Sequence, residues 1–219
     1  MSGLDEVHAQ VQVFKQDSLG NRVASIEGKL QGADRVGCQA FFSKEGINPE
    51  LLRAAFALKR ASGQINEVVH AVGILVSLPH ILRDGEVVEA LSLAAGNTGK
   101  PFDLETNQRV AEFKFIDWKG GPESIRQNQL FKDFYLLAEF STPKERYLYV
   151  LGADYPVKFL TGGRALDSVM SRNNKLWREF QRKYGGRFST VGDYYGYRQD
   201  LVKIVDFANF VPDFASGIA

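Results

Sequence analysis

PFDLETNQRVAEFK, residues 101–114, reads as two extended segments joined by the polar turn Thr106-Asn107-Gln108. The first segment covers 101–105 and the second 109–118, where Val110, Phe113, Phe115 and Trp118 supply strand-forming side chains. Side chains of equal parity share one face of a strand. Glu112 and Lys114 therefore point one way, and Phe113 and Phe115 point toward the core. With a turn of two or four residues, position 103 pairs with Val110. Asp103 and Glu112 are then diagonal neighbours on one face, roughly 7 Å apart. A three-residue turn would reverse the parity and separate them.

Upstream of the hairpin, 86–95 (EVVEALSLAA) reads as a strand, followed by a Gly-Asn-Thr-Gly turn at 96–99. Asn48-Pro49-Glu50 has the form of a helix start, with Asn as cap and Pro in the first turn. A second helix is expected from about 64 to 78, because Ile65, Val68, Val69, Val72 and Leu75 recur at helical spacing. Ser62-Gly63 divides these two helices, and Pro79 is expected to end the second. The first 45 residues are broken by glycines, and 8–15 alternates in part, as a strand would. Downstream, Gly120-Gly121-Pro122 breaks the chain before a long helix at 123–140. A strand follows at 146–152, then helices at 167–184 and 200–208. The order is mixed α/β: a small mixed sheet between helices, without the strict alternation of a doubly wound fold. One domain is expected over 1–219, with its core at about 60–152 and a helical extension at 153–219.

Composition sets limits. Hydrophobic residues make up 44% and charged residues 24% of 219, which excludes a disordered or collagen-like chain. Lys plus Arg number 27 against 26 Asp plus Glu, so any preference for nucleic acid must come from local clusters. Cys38 is the sole cysteine. It excludes an internal disulfide and, with three histidines, cannot build the usual Cys/His zinc site. The most apolar stretch, 68–82, is too short to span a bilayer. The expectation is a soluble cytoplasmic protein without membrane contact.

Two acids side by side repel, and one takes up a proton near neutral pH unless a cation intervenes. A divalent, oxygen-ligated ion such as Mg²⁺ removes that conflict. It also lowers the pKa of a coordinated water and polarises a phosphodiester. A lysine beside them can orient the attacking water or stabilise developing negative charge. Asp103, Glu112 and Lys114 are thus a candidate set for phosphodiester hydrolysis. Glu-x-Lys alone is a weak signal, and its plain alternative is a salt bridge on an exposed strand face.

Asp103 followed by Glu112-Phe113-Lys114 resembles the signature of the PD-(D/E)XK nuclease superfamily, over roughly residues 60–152. The resemblance implies a restriction-endonuclease-like fold, a central mixed β-sheet flanked by helices. It also implies Mg²⁺-dependent cleavage of DNA, with Mn²⁺ as a substitute and RNA left open as a substrate. Asp103 and Glu112 become metal ligands and Lys114 the catalytic lysine. Members of the group often place a further metal-holding glutamate on the preceding helix. Glu67, set between apolar residues of a helix expected to be largely buried, is its counterpart, unless it sits at the helix edge and reaches solvent. Some members carry a glutamine on the helix after the lysine, and Gln127 stands there. Two departures are visible. Pro101 stands two residues before the aspartate, and Phe131 occupies the place of the tyrosine expected four residues beyond the glutamine.

For substrate contact, Arg172, Lys175, Arg178 and Arg182 recur at spacings of 3, 3 and 4 along one flank of a helix. Such a basic stripe suits a phosphate backbone, or is an ordinary solvated face. Lys119 and Arg126 lie nearer the hairpin. Tyr194, Tyr195 and Tyr197 read as core in preference to stacking surface, His70 and His80 as structural, and Gln129 as pointing away from the site. The alternative function is a non-catalytic nucleic-acid-binding or assembly module on the same fold. A homodimer or a larger protein complex is compatible with either.

Overall fold

The computed structural model describes residues 3–32, 34–93, 99, 101–115, 118 and 123–210. The chain divides into two compact units, Met1–Asn66 and Glu67–Ala219, with the division inside one long helix.

The first unit is helical: α1 (Gly3–Lys15), α2 (Leu19–Leu30), α3 (Arg35–Glu45) and the first half of α4 (Pro49–Ile81). The alternation at 8–15 does not make a strand. Val7, Val11 and Phe14 are the less exposed positions, at spacings of 4 and 3, while Val13 lies open to solvent. That is a helical period. Polar side chains cap the helix starts. Asp34 Oδ1 accepts from the Gly37 N–H at 2.8 Å, and Asn48 Oδ1 accepts from the Leu51 N–H at 2.8 Å. Arg22, nearly buried, reaches Glu45 at 2.7 Å and ties α2 to the end of α3.

The two helices expected between 48 and 78 are one helix of 33 residues. Ser62-Gly63 does not break it. A helical glycine costs only about 1 kcal/mol relative to alanine, which the good helix formers on either side offset. Pro79 lies inside the last turn, which continues to Ile81.

The second unit is built on a five-stranded mixed sheet in the order β1 (Val88–Leu91), β2 (Leu104–Thr106), β3 (Arg109–Lys114), β4 (Glu145–Val150) and β5 (Lys203–Asp206). β2 is antiparallel to both of its neighbours, β1 and β3, and β3, β4 and β5 are parallel. Helix α5 (Ser124–Glu139) is the crossover from β3 to β4 that a parallel pair requires. Odd residues of β3 and β4 (Ala111, Phe113, Tyr147, Tyr149) pack with Ile74 and Ile81 of α4. Even ones (Val110, Leu148, Val150) pack under Leu130, Phe134 and Leu137 of α5. Phe113, Tyr149 and Tyr147 stack in a row on the α4 side, with ring centroids 4.8 and 5.5 Å apart. Gly73 lets α4 come close, since a Cβ there would lie 2.6 Å from the Phe115 ring.

The C-terminal part differs from its sequence pattern. Residues 154–201 form α6 (Asp154–Leu160), α7 (Leu166–Met170), α8 (Asn174–Tyr184), α9 (Val191–Arg198) and a single 3-10 turn. The helix expected at 167–184 is two helices, because Asn173 interrupts it to cap α8, accepting from the Leu176 N–H at 3.1 Å. The helix expected at 200–208 is β5 between two 3-10 turns, since Ile204 and Val205 extend beside Leu148 and Tyr149. Tyr194 is fully buried, as expected for core, and Tyr195 is half-buried, but Tyr197 lies on the surface and is not the core residue expected. Glu139, at the end of α5, accepts from Tyr184 (2.6 Å), Tyr194 (2.7 Å) and Arg198 (3.0 Å), and also pairs with Lys183. Three helices meet on that carboxylate.

The hairpin is fixed by a buried ion pair. Glu86 accepts from both Arg109 Nε and Nη2, from the Thr106 hydroxyl at 2.6 Å and from the Arg83 N–H at 3.1 Å. Arg109 Nη1 donates to the Tyr149 hydroxyl at 2.8 Å. Thr106 Oγ1 accepts the N–H groups of Gln108 and Arg109, closing the turn. Removing one partner of such a pair leaves an uncompensated buried charge. Glu86→Ala is expected to lower the unfolding free energy by about 3–5 kcal/mol, read from the urea midpoint at unchanged m-value. A midpoint close to that of the parent chain would show that the pair does not hold the hairpin.

Candidate functional site

The observed register pairs Leu104 with Ala111 and Glu105 with Val110, two residues from the expected pairing of 103 with 110. Glu112 and Lys114 share a face through the strand period alone; Asp103 has left the ladder, so strand pairing does not set it diagonal to Glu112 as expected. The ladder stops at Leu104, because Asp103 lies in a bend and bonds to β3 through its side chain. Its Oδ2 accepts the Phe113 N–H at 2.9 Å, between the two motif residues. Its main-chain oxygen still accepts from the Ser92 N–H at 2.8 Å.

Lys114 Nζ stands 2.8 Å from Glu112 Oε1 and 2.8 Å from Asp133 Oδ2 of α5. Asp103 Oδ1 stands 3.2 Å from His70 Nε2 of α4. Glu112 and Lys114 are in contact, and Asp103 lies near enough for its charge to act on Glu112. Two further residues join them: Asp133, absent from the sequence reading, and His70, which it reads as structural. Asp133 had a signal. Leu130, Asp133 and Leu137 share the packing stripe of α5, where an acid is costly without a partner. His70 gave only its position, one turn beyond Glu67.

Electrostatics sharpen the picture. Burial pushes the Glu112 carboxyl up from 4.5 to about 7, and the charges of Asp133 and Asp103 add to the rise despite Lys114. Burial likewise raises Asp133, against the pull of Lys114. Burial alone would lower Lys114, but Asp133 and Glu112 more than offset it and hold the ammonium charged. The centre carries more acid than its one ammonium balances.

The remaining candidates fall in different places. Glu67 is exposed, as are Ile65, Val68, Val69 and Val72, so the helix around it is not the buried one expected. The α4 residue that reaches Asp103 is His70. Gln127 is half-buried and its Oε1 has no hydrogen-bond partner among the described residues. Arg126 pairs with Glu123. Arg126 and Gln129 border a cavity of about 20 Å³ together with Lys114 and Trp118, so Gln129 does not point away. Lys119 lies outside the described residues. Arg172 precedes α8, and Lys175, Arg178 and Arg182 lie on it; all four are exposed.

Compared with protein-family models, with curated proteins and with solved structures, the chain matches none. Among the described residues no helix is long and apolar enough to cross a membrane. Nor do three His, Cys, Asp or Glu side chains there form a ready-made metal cage. A Mg²⁺ site needs less, since that ion keeps several waters and binds through one or two carboxylates plus substrate phosphate. Asp103 and Glu112 are hard oxygen donors of that kind. Burial first and neighbouring acids second make Glu112 hard to ionise, and a cation would stabilise its charged form, so the residues present fit it.

Glu112 gives a pH signature. The unfolded chain releases this proton near 4.5, while the folded chain holds it to about 7. The native state therefore binds more protons between those values, and stability falls as pH rises through that window. In EDTA the urea midpoint of the parent chain is expected to decline between about pH 5 and 8, and Glu112→Gln to flatten that decline. Parallel profiles would exclude Glu112 as its source.

Proposed function

We propose that the chain is a divalent-metal-dependent nuclease with a restriction-endonuclease-like core. The observation that carries this reading is the meeting of Asp103, Glu112 and Lys114 at one end of the hairpin, with both acids crowded and the lysine kept charged. The architecture agrees: α4, three antiparallel strands, α5, then β4 parallel to β3, a mixed sheet flanked by helices.

In this reading Asp103 and Glu112 hold Mg²⁺, or Mn²⁺ in its place. The bound ion would acidify a coordinated water and neutralise charge on the scissile phosphate. Lys114 supplies a fixed positive charge for the attacking water or for the phosphate oxygens as charge builds on them. Asp133 holds that ammonium in place from α5, and the Phe113 N–H and His70 hold the Asp103 carboxylate. The 20 Å³ cavity beside Lys114 has room for one water. The Trp118 Nε1–H, without a partner among the described residues, borders it. Arg126, Arg172, Lys175, Arg178 and Arg182 are the phosphate contacts that DNA would meet.

The deciding experiment incubates the protein with plasmid and single-stranded DNA in Mg²⁺, Mn²⁺ or EDTA. Cleavage is expected in either metal and none in EDTA. Asp103→Ala and Lys114→Ala are expected to lower the rate by about a hundredfold or more while circular dichroism stays native. Metal-dependent cleavage retained in either variant would refute the assignment. Salt-sensitive DNA binding without cleavage in any metal would favour the non-catalytic module, and activity on RNA alone would change the substrate.

A further inference from the structure

A groove of about 210 Å³ lies between α5 and the α7–α8 corner. Its walls are of three chemical kinds. Ile125, Met170 and Leu176 give it an apolar lining, Asn128 and Gln129 bring amides, and Lys132 and Arg172 bring positive charge. Asn128 Oδ1 is buried with no hydrogen-bond partner among the described residues. A buried acceptor left unmet is costly, and such orphans need an explanation. Gln127 Oε1, on the preceding residue of α5, is likewise without a partner among the described residues.

We propose that this groove is a base pocket, which receives one unpaired nucleobase of a single-stranded polynucleotide. The inference rests on the nuclease reading and names its substrate class. A nucleobase presents apolar faces to Ile125, Met170 and Leu176, and an N–H edge to Asn128 Oδ1 once that amide, closed to solvent in this structure, turns into the groove. Its phosphates meet Lys132 and Arg172. No other simple ligand uses all three kinds of wall: a free phosphate leaves the apolar lining unused, and an aliphatic side chain leaves the amide unmet. Position supports the choice. Gln129 borders both this groove and the small cavity beside Lys114. A strand with one base in the groove therefore runs its neighbouring phosphate toward the Asp103–Glu112–Lys114 centre. A base paired in a duplex cannot enter without leaving its stack.

The test measures binding in EDTA, by fluorescence anisotropy, to three labelled DNA probes. These are a single-stranded oligothymidine, an abasic strand with the same number of phosphates, and a duplex of the same length. Stacking and edge recognition of one base are worth about tenfold in affinity. The oligothymidine is expected to bind about tenfold tighter than the abasic strand. Asn128→Leu is expected to erase that preference while leaving abasic binding and the salt dependence unchanged. Ile125 is 61% exposed, so the fold tolerates its loss. Ile125→Ser is expected to weaken the preference likewise, and it decides the matter if Asn128→Leu does not fold.

Equal binding of oligothymidine and abasic strand, or a preference untouched by the folded variants, overturns the base pocket. If the parent protein still cleaves DNA in Mg²⁺, the nuclease reading survives that result. Absence of both binding and cleavage removes the nuclease reading and the pocket together.

Discussion

The buried contact between Glu86 and Arg109 governs the geometry of everything around the centre. An ion pair held away from water is expensive, and this one is retained with nearly every polar atom satisfied, by Thr106, Tyr149 and the Arg83 amide. It joins Glu86, two residues before β1, to the first residue of β3, across the turn that links β2 to β3. The register of β2 against β3 follows from it. A slip of one residue would turn Glu112 and Lys114 toward α4 and Phe113 toward α5. The chemistry of one sheet face thus depends on a charge pair that touches none of the reactive groups.

The centre is an electrostatic compromise. Lys114 between Glu112 and Asp133 balances one negative charge of two, and Asp103 adds a third acid. Excess acid in a partly buried place is poor design for stability alone, and it costs the fold more as pH rises. A divalent cation would convert the same excess into affinity. Asp103 accepts the Phe113 N–H where the β2 ladder ends, so its side chain takes the place of a ladder bond.

Much of this was legible in residues 101–114. Parity along β3 depends only on the strand period, so the common face of Glu112 and Lys114 was readable, although the pairing was two residues out. Helix α5 and strand β4 were readable for the same reason, since their apolar positions repeat with one clear period. The long helix α4 was not, because Ser62-Gly63 and Pro79 are local break signals that its flanking turns outweigh. Strand β5 was missed because four residues are too few to set Ile204 and Val205 apart from a helical face. His70 and Asp133 escaped for a different reason. Each reaches the centre from a separate helix, and contact across elements leaves no spacing in a sequence. Asp133 alone carried a hint, as an acid on the apolar stripe of α5. Gln129 was misjudged because the helical wheel gives a direction but not the shape of the neighbouring wall.

The Glu139 carboxylate is shared among three helices. One anion at the end of α5 serves Lys183 and Tyr184 from α8 and Tyr194 and Arg198 from α9. Burial opposes its charge, and these donors keep it ionised nonetheless. Groups that share one acceptor are not independent, so paired substitutions among the four will depart from the sum of the single ones. Helices α5, α8 and α9 are thus coupled through one acceptor, and sequence drift at any one donor changes what the other three are worth.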